Sequence, residues 1–342
     1  MRSSYAYSGR LRHWIFGALV VGVPAVTQAA GEVDWFSLFT EDAEAAAEFY
    51  AGLLGWEIQR GPSGGLIALR RGTPIAGISQ IEDRLPESSE SLWLAAIKVA
   101  DLAESVASAR ELGGTIHQDV TRVAGYGSYA IVIDPQGAPV ILAVEERVLG
   151  ASQGVSAWLW AELWTTDTDA ASQFYAEVVG YNRGTVERND HAYPILSRDG
   201  AQHAGLATLT DPEISPRWAP YVGVQDLRAT LVRVWQLDGE VLLEPAEIDD
   251  EERTALIADS TGGALFLYEL DEAQAAQGLV SAHAVPAESI EFKIIGPADE
   301  GPRVNFNLSL SYGYGYGYGP GWGGGAYPRP PHYPYRPPIG PY

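Results

Sequence analysis

Apolar residues along the chain alternate between two spacings, every second residue and every third or fourth, which follow one another in a fixed order. Val33, Trp35, Ser37 and Phe39 share one face of a β-rich run, which predicts a strand over 33–39. A helix follows, with Asp42 at its N-cap or in its first turn, Ala46, Phe49, Tyr50 and Leu53 at helical spacing and Gly55 as the stop. Strands are expected over 66–70 and 75–81, a polar loop over 82–91, and a strand over 93–99. A second helix over 101–112 carries Leu102, Val106 and Ala109 on one face and ends at Gly113-Gly114. Strands over 115–120, 129–134 and 139–144 complete the series, the last preceded by an Asp134-Pro135-Gln136-Gly137 turn. The order is β-α-β-β-β, twice.

The whole series then recurs. The stretch from Asp42 to Trp56 returns from Asp167 to Tyr181, with Asp42, Tyr50 and Gly55 matched by Asp167, Tyr175 and Gly180, each 125 residues on. Trp35 and Trp160, Val99 and Val224, Asp101 and Asp226, Gly114 and Gly239, Asp134 and Asp259, and Gly137 and Gly262 keep the same offset. Around Ala76-Gly77-Ile78 and Ala204-Gly205-Leu206 the offset is 128, a slippage that falls in turn-like sequence. A fixed offset held over independent landmarks means duplication of one structural unit. The reading divides the chain into 1–30, a first module over 31–148, a short connection at 151–154, a second module over 155–270, and a tail over 271–342.

The two ends follow other patterns. Arg2, Arg10 and Arg12 precede an apolar run from Trp14 to Val26 and then Thr27-Gln28-Ala29-Ala30, the layout of a secretory signal peptide. The run is short for a membrane span, so an exported chain, periplasmic or extracellular, with no integral span after signal removal, is expected. In the tail a strand is expected over 289–295, and apolar residues from Val304 to Tyr318 occupy every second position. Its end, from Gly319, is rich in Gly, Pro and Tyr and has too few aliphatic residues for a core, so disorder is expected there. The alternating segment is an expected route to self-association or envelope contact.

Charge narrows the partners. Asp and Glu number 44 against 22 Lys and Arg, a formal −22, which becomes −25 once the three arginines of residues 1–30 leave and no acid with them. Nucleic acid is not an expected partner, because clustered cations are what such binding needs. There is no cysteine, so no disulfide and no thiol-linked lipid.

Candidate chemistry concentrates on the first strand of each module. Trp158, Trp160, Glu162 and Trp164 alternate along one face, matched by Trp35, Ser37 and Phe39 in the first module. Such a wall suits a planar or apolar small ligand, or it fills a core; both readings stay open. Glu162 is the candidate acid or base, with a hydrogen-bonded structural role as the alternative. Tyr126, in Gly125-Tyr126-Gly127, either closes over the cup or belongs to an ordinary mobile turn; both readings stay open. His117, His191 and His203 show no paired spacing and read as structural or surface residues, and Glu244 to Glu252 as a solvated acidic loop.

The D-x6-F-Y-x4-G helix, the V-x-D-L start of the second helix and the D-P-x-G-A or D-S-x-G-G turn before the last strand together resemble the vicinal oxygen chelate superfamily, which includes glyoxalase, bleomycin-resistance and extradiol dioxygenase proteins. The W-x-x-L-F-T-x-D and W-x-E-L-W-T-x-D openings resemble its tandem-domain, glyoxalase-like branch. The resemblance implies an α+β fold, two tandem modules of paired βαβββ units with strands curled into a cup, plus the low-complexity tail. It also implies where a metal would be held: at positions occupied here by Trp35 and Ile141, and by Trp160 and Phe266. None of the four has a donor for a divalent ion. The expectation is therefore a small-molecule binder without metal or other cofactor, with a glyoxalase- or dioxygenase-like enzyme and an envelope structural protein acting through its tail as alternatives.

Overall fold

The computed structural model describes residues 31, 33–61, 64–81, 91–123, 127–145, 155–188, 191–209, 211, 214–245, 253–272, 275 and 303–304. The expected signal segment, Tyr126, the connection at 151–154, the strand over 289–295 and the alternating tail beyond Val304 lie outside them.

The first half runs β1 (Trp35–Thr40), α1 (Ala43–Leu54), β2 (Glu57–Arg60), β3 (Leu66–Arg70), β4 (Thr73–Gln80), β5 (Leu92–Lys98), α2 (Leu102–Glu111), β6 (Thr115–Val123), β7 (Gly127–Ile133) and β8 (Pro139–Glu145). The second repeats it as β9 (Trp158–Thr165), α3 (Thr168–Val179), β10 (Asn182–Arg188), β11 (His191–Arg198), β12 (Ala201–Leu209), β13 (Arg217–Val224), α4 (Leu227–Gln236), β14 (Glu240–Leu243), β15 (Thr254–Ala258) and β16 (Ala264–Glu269). A two-residue strand, β17 (Arg303–Val304), pairs with the end of β12. No helix among the described residues is long and apolar enough to cross a membrane.

All four helices start in the same way. Asp42, Asp101, Asp167 and Asp226 each accept a backbone N–H of the first turn through the side chain, satisfying donors that the helix itself leaves open. Gly55 and Gly180 end α1 and α3 in the left-handed region, φ 69° and 83°, where a Cβ would be strained.

Each half forms one curled sheet, in the orders β2-β3-β4-β1-β5-β8-β7-β6 and β10-β11-β12-β9-β13-β16-β15-β14. Two βαβββ units meet where β1 pairs antiparallel with β5, and β9 with β13. One face of each sheet carries the helices, and these faces meet in a shared core in which Phe36, Leu38, Trp93, Trp158, Leu163 and Trp218 are all buried.

The repeat's landmarks turn out to be contacts between the halves. Tyr50 of α1 donates to the Gly263 carbonyl (3.1 Å), in the turn before β16, and Trp93 Nε1 donates to the Tyr50 hydroxyl (3.1 Å). Reciprocally, Tyr175 of α3 donates to Asp134 Oδ2 (3.1 Å), in the turn before β8, and Trp218 Nε1 donates to Tyr175 (3.2 Å). Phe49 and Phe174 press on Gly239 and Gly114 of the opposite half, where an added Cβ would lie 2.5 and 3.2 Å from the rings. Trp56 Nε1 donates to the Ser156 carbonyl (2.8 Å), and Tyr181, 125 residues on, to the Gly31 carbonyl.

The strand pattern needs one correction. Trp158 does not share a face with Trp160, Glu162 and Trp164. Along β9 and β13 the pairing steps from Trp160↔Tyr221 to Trp158↔Val222, so Leu159 is an extra residue in a bulge. An inserted residue reverses the facing of everything before it. Trp158 thus packs into the shared core against Phe36, Trp56 and Trp93, its indole N–H on the Ile75 carbonyl (2.8 Å). Strands β2 and β10 were not predicted from the pattern, because they present no buried face; β2 is largely exposed.

Candidate functional site on the concave faces

The face of each sheet away from the helices is the one the cup reading requires, and register across the central strands shows what lines it. In the first half Trp35, Ala96 and Ile141 form a row across β1, β5 and β8. In the second, Trp160, Tyr221 and Phe266 form the matching row across β9, β13 and β16. These rows contain all four positions at which the superfamily resemblance would place metal ligands. The second is built of rings: Tyr221 lies flat on Phe266, centroids 4.3 Å apart at 9°, and Trp164 meets Phe266 edge-on at 5.8 Å. Alkyl and aromatic carbon supply no lone pair to a cation, so these residues do not fit a metal. Among the described residues no three His, Asp or Glu side chains gather to offer another site.

The next row holds Glu162, between Gly205 of β12 and Ala219 of β13. Its carboxylate is buried and accepts from Trp164 Nε1 (2.9 Å), the Tyr193 hydroxyl (2.6 Å) and the Tyr221 hydroxyl (3.4 Å), while Trp160 Nε1 donates to Tyr193 (3.3 Å). A desolvated charge is tolerable only when its lone pairs are met in this way. Gly205 makes the arrangement possible: a Cβ there would lie 1.7 Å from the Tyr193 hydroxyl, so the phenol crosses β12 only because that residue has no side chain. Trp160, Trp164, Tyr193, Tyr221, Phe266 and Tyr268 are all buried. The second cup is filled by its own side chains.

The first cup differs. Phe39, Leu94, Ala96, Ile131 and Ile141 form a buried apolar floor, and Trp35, Ile81, Leu92, Tyr129 and Ala143 around it are only partly buried. Register pairs four of the filling residues with smaller counterparts, while Trp35 matches Trp160 and the larger Leu94 and Tyr129 stand where the second cup has Ala219 and Thr254. Opposite Tyr221, Glu162 and Tyr268 stand Ala96, Ser37 and Ala143, and Tyr193 corresponds to Gly65, one residue before β3 and opposite Ser79. Trp35 Nε1, with no phenol to meet, donates to Ser37 Oγ (3.0 Å). Lys98 and Asp34 form a buried ion pair (2.5 Å) at the neighbouring strand ends.

Of the residues singled out in the sequence, Trp35, Ser37 and Phe39 share the first concave face, and Trp160, Glu162 and Trp164 the second. Trp158 lies in the core and Tyr126 outside the described residues. His117 lies on β6, its pKa lowered by partial burial, and the His203 ring sits 5.7 Å from Tyr181, away from the Glu162 cluster. Sequence reading missed Tyr193, Tyr221 and Gly65. The 128-residue offset between Gly77 and Gly205 carried the signal for Gly65, since the same offset pairs it with Tyr193.

Comparison with known proteins agrees with this architecture. Residues 34–143 match a glyoxalase-like domain family. A protein provisionally named a glyoxylase, CFP32 of Mycobacterium tuberculosis, is 30% identical over 240 residues, covering 68% of this chain and 92% of its own. The chain belongs to the glyoxalase-like proteins of the vicinal oxygen chelate superfamily. Among other members of this superfamily, the anthracycline biosynthesis protein DauV of a Streptomyces species is 27% identical, covering 72% of this chain and 95% of its own. The 2,3-dioxygenase LapB of Pseudomonas sp. KL28 shares the fold at 13% identity with a TM-score of 0.50, covering 71% of this chain and 93% of LapB.

Proposed function

We propose that this vicinal oxygen chelate protein binds a small, planar, largely apolar molecule on the first concave face, without a metal. The observation that supports this reading is the asymmetry of the two cups: Gly65, Ser37, Ala96 and Ala143 stand where the second cup carries Tyr193, Glu162, Tyr221 and Tyr268. Three phenols and a carboxylate are absent from this face, Leu94 and Tyr129 take back part of their volume where the second half has Ala219 and Thr254, and the apolar walls with few polar groups that remain around Trp35 and Ile141 favour ligands that displace water and stack. The amino-terminal pattern supports export, so the ligand would be met outside the cytoplasm; a mature protein beginning after residue 30 in a periplasmic or culture fraction checks that part.

The binding test is fluorescence titration of the purified chain with an anthracycline, a planar polycycle chosen because relatives carry that word in their names. Saturable quenching that persists in chelator is expected, weakened about tenfold or more by Trp35→Ala, the equivalent of roughly 1.4 kcal/mol. Binding only in the presence of a divalent ion would overturn the metal-free reading.

A second reading, catalysis of a glyoxalase- or dioxygenase-like kind, draws support from the names of the relatives and the superfamily. Among the described side chains Glu162 is the carboxylate on the rows of the concave faces, and it is enclosed by the rings it bonds. Turnover of a glyoxal or a catechol that is lost in Glu162→Gln would favour this reading over simple binding.

A further inference from the structure

The filled cup serves as a template for the open one. In the second half the Tyr193 ring lies over Gly205, its hydroxyl accepting from Trp160 Nε1 (3.3 Å) and donating to Glu162 (2.6 Å). In the first half the glycine and the indole of that cradle are present, a serine stands for the carboxylate, and the phenol is missing. Gly77 stands for Gly205, Trp35 for Trp160, Ser37 for Glu162, and Gly65 marks the point from which a tyrosine would have reached across. A Cβ at Gly77 would touch Ser37 Oγ at 3.2 Å and Trp35 Cζ2 at 3.5 Å, so the floor beneath this strip is close to the backbone. Lacking the phenol, Trp35 Nε1 falls back on Ser37 Oγ at 3.0 Å.

We infer that the first concave face recognises a phenolic ring, seated over Gly77 in the place Tyr193 takes in the second, its hydroxyl replacing the 3.0 Å Trp35 Nε1–Ser37 Oγ bond, which opens so that Trp35 Nε1 donates to the phenol and Ser37 Oγ accepts from it. Replacing carboxylate by hydroxyl at position 37 has a chemical consequence. A neutral acceptor suits a neutral phenol, and it leaves Ser37 one further lone pair or donor for a polar substituent. Ala96 vacates room beside the ring where the second half has Tyr221, while Tyr129 takes up part of the room at Ala143, so a substituent on the phenol fits on the Ala96 side.

This inference rests on the ligand-binding reading above, and its test separates the two. The wild-type chain is titrated calorimetrically with p-cresol and with toluene, which fill the same space but differ in the hydroxyl, and the titrations are repeated on Ser37→Ala and Gly65→Tyr. The expected result is that p-cresol binds about tenfold more tightly than toluene, that Ser37→Ala removes this preference while toluene binding persists, and that Gly65→Tyr abolishes both because the protein now carries its own phenol. Equal binding of the two probes, unchanged in Ser37→Ala, overturns the phenol assignment and leaves an apolar site standing. Absence of binding by either overturns the inference and the cup reading together. Near-ultraviolet circular dichroism of each variant verifies that it is folded, and a second substitution, Ser37→Thr, which keeps a hydroxyl, is expected to retain the preference.

Discussion

At the scale of single residues, the absence of a side chain decides as much as its presence. Gly205 is needed because the Tyr193 phenol occupies the volume a Cβ would take, whereas a Cβ at Gly77 would meet Ser37 Oγ at 3.2 Å and Trp35 Cζ2 at 3.5 Å, near ordinary contact. Gly205→Ala is therefore expected to cost on the order of 3 kcal/mol, since Tyr193 must withdraw and leave a buried carboxylate short of a donor. Gly77→Ala is expected to cost about 1 kcal/mol or less. Urea denaturation of both variants checks the contrast, and equal losses would show that Tyr193 yields easily. Asp134 gives a second residue-level expectation. Its Oδ1 accepts from the Gln136, Gly137 and Ala138 amides and its Oδ2 from Tyr175, yet burial outweighs these bonds and raises its pKa; Asp259 is raised for the same reason. A carboxyl whose pKa is higher in the folded state holds its proton there more than in the unfolded chain, so its stabilising contribution is complete below the ordinary carboxylate range and declines as pH rises through the raised value. Asparagine keeps the acceptor and does not titrate. The stability deficit of Asp134→Asn relative to wild type should therefore shrink as pH rises from the ordinary carboxylate range through the raised value, measured by denaturation at each pH; a deficit that widens would contradict the assignment.

At the scale of elements, the sequence was most legible where periodicity and caps coincided. The Asp42 cap with its repeat Asp167, the αL glycines and the amphipathic faces of α1 and α3 were readable because each depends on neighbours within one turn, whereas Asp101, read as the first residue of its helix, proves to be a cap, as does its repeat Asp226. Strands β3, β5, β7 and β8 were readable from their apolar character, to within two residues at each end. The first strand of the second half was read with Trp158 on the wrong face because a bulge at Leu159 inserts one residue, and nothing local to Trp-Leu-Trp distinguishes a bulged strand from a regular one. Strand β2, lacking an inward face, had no signal to read. The candidate site was half legible: Trp35, Ser37, Trp160 and Glu162 came from alternation, but Tyr193, Tyr221 and Gly65 join them only through strand pairing, which links residues tens of positions apart. Deleting Leu159 makes Trp158 the immediate neighbour of Trp160, so a regular strand keeps Trp160 opposite Tyr221 and Trp158 opposite Val222, and Trp158 stays against Phe36, Trp56 and Trp93. The deletion is therefore expected to cost about 1 kcal/mol or less in denaturant titration, against about 3–5 kcal/mol for Trp158→Ala, and equal losses would contradict the bulge.

At the scale of the whole molecule, the two halves are held by an exchange in which each offers a Phe-Tyr pair and receives the other's in its Gly and Asp turns. Residues 31–148 expressed alone would leave Phe49, Tyr50 and Trp56 without the surfaces that bury them. Sedimentation of that fragment is expected to show a dimer or larger species, and a well-dispersed monomer would contradict the shared core. A single half nevertheless carries both the offering and the receiving side, so two identical copies satisfy one another by the same contacts. Joining them in one chain turns an encounter between separate molecules, whose yield depends on concentration, into the closure of a short loop, whose entropic cost is small and fixed. Once assembly no longer requires the copies to be alike, mutation is free to act on one concave face while the other stays packed. A duplicated chain of this kind can keep one interior as ballast for folding and spend the other on recognition.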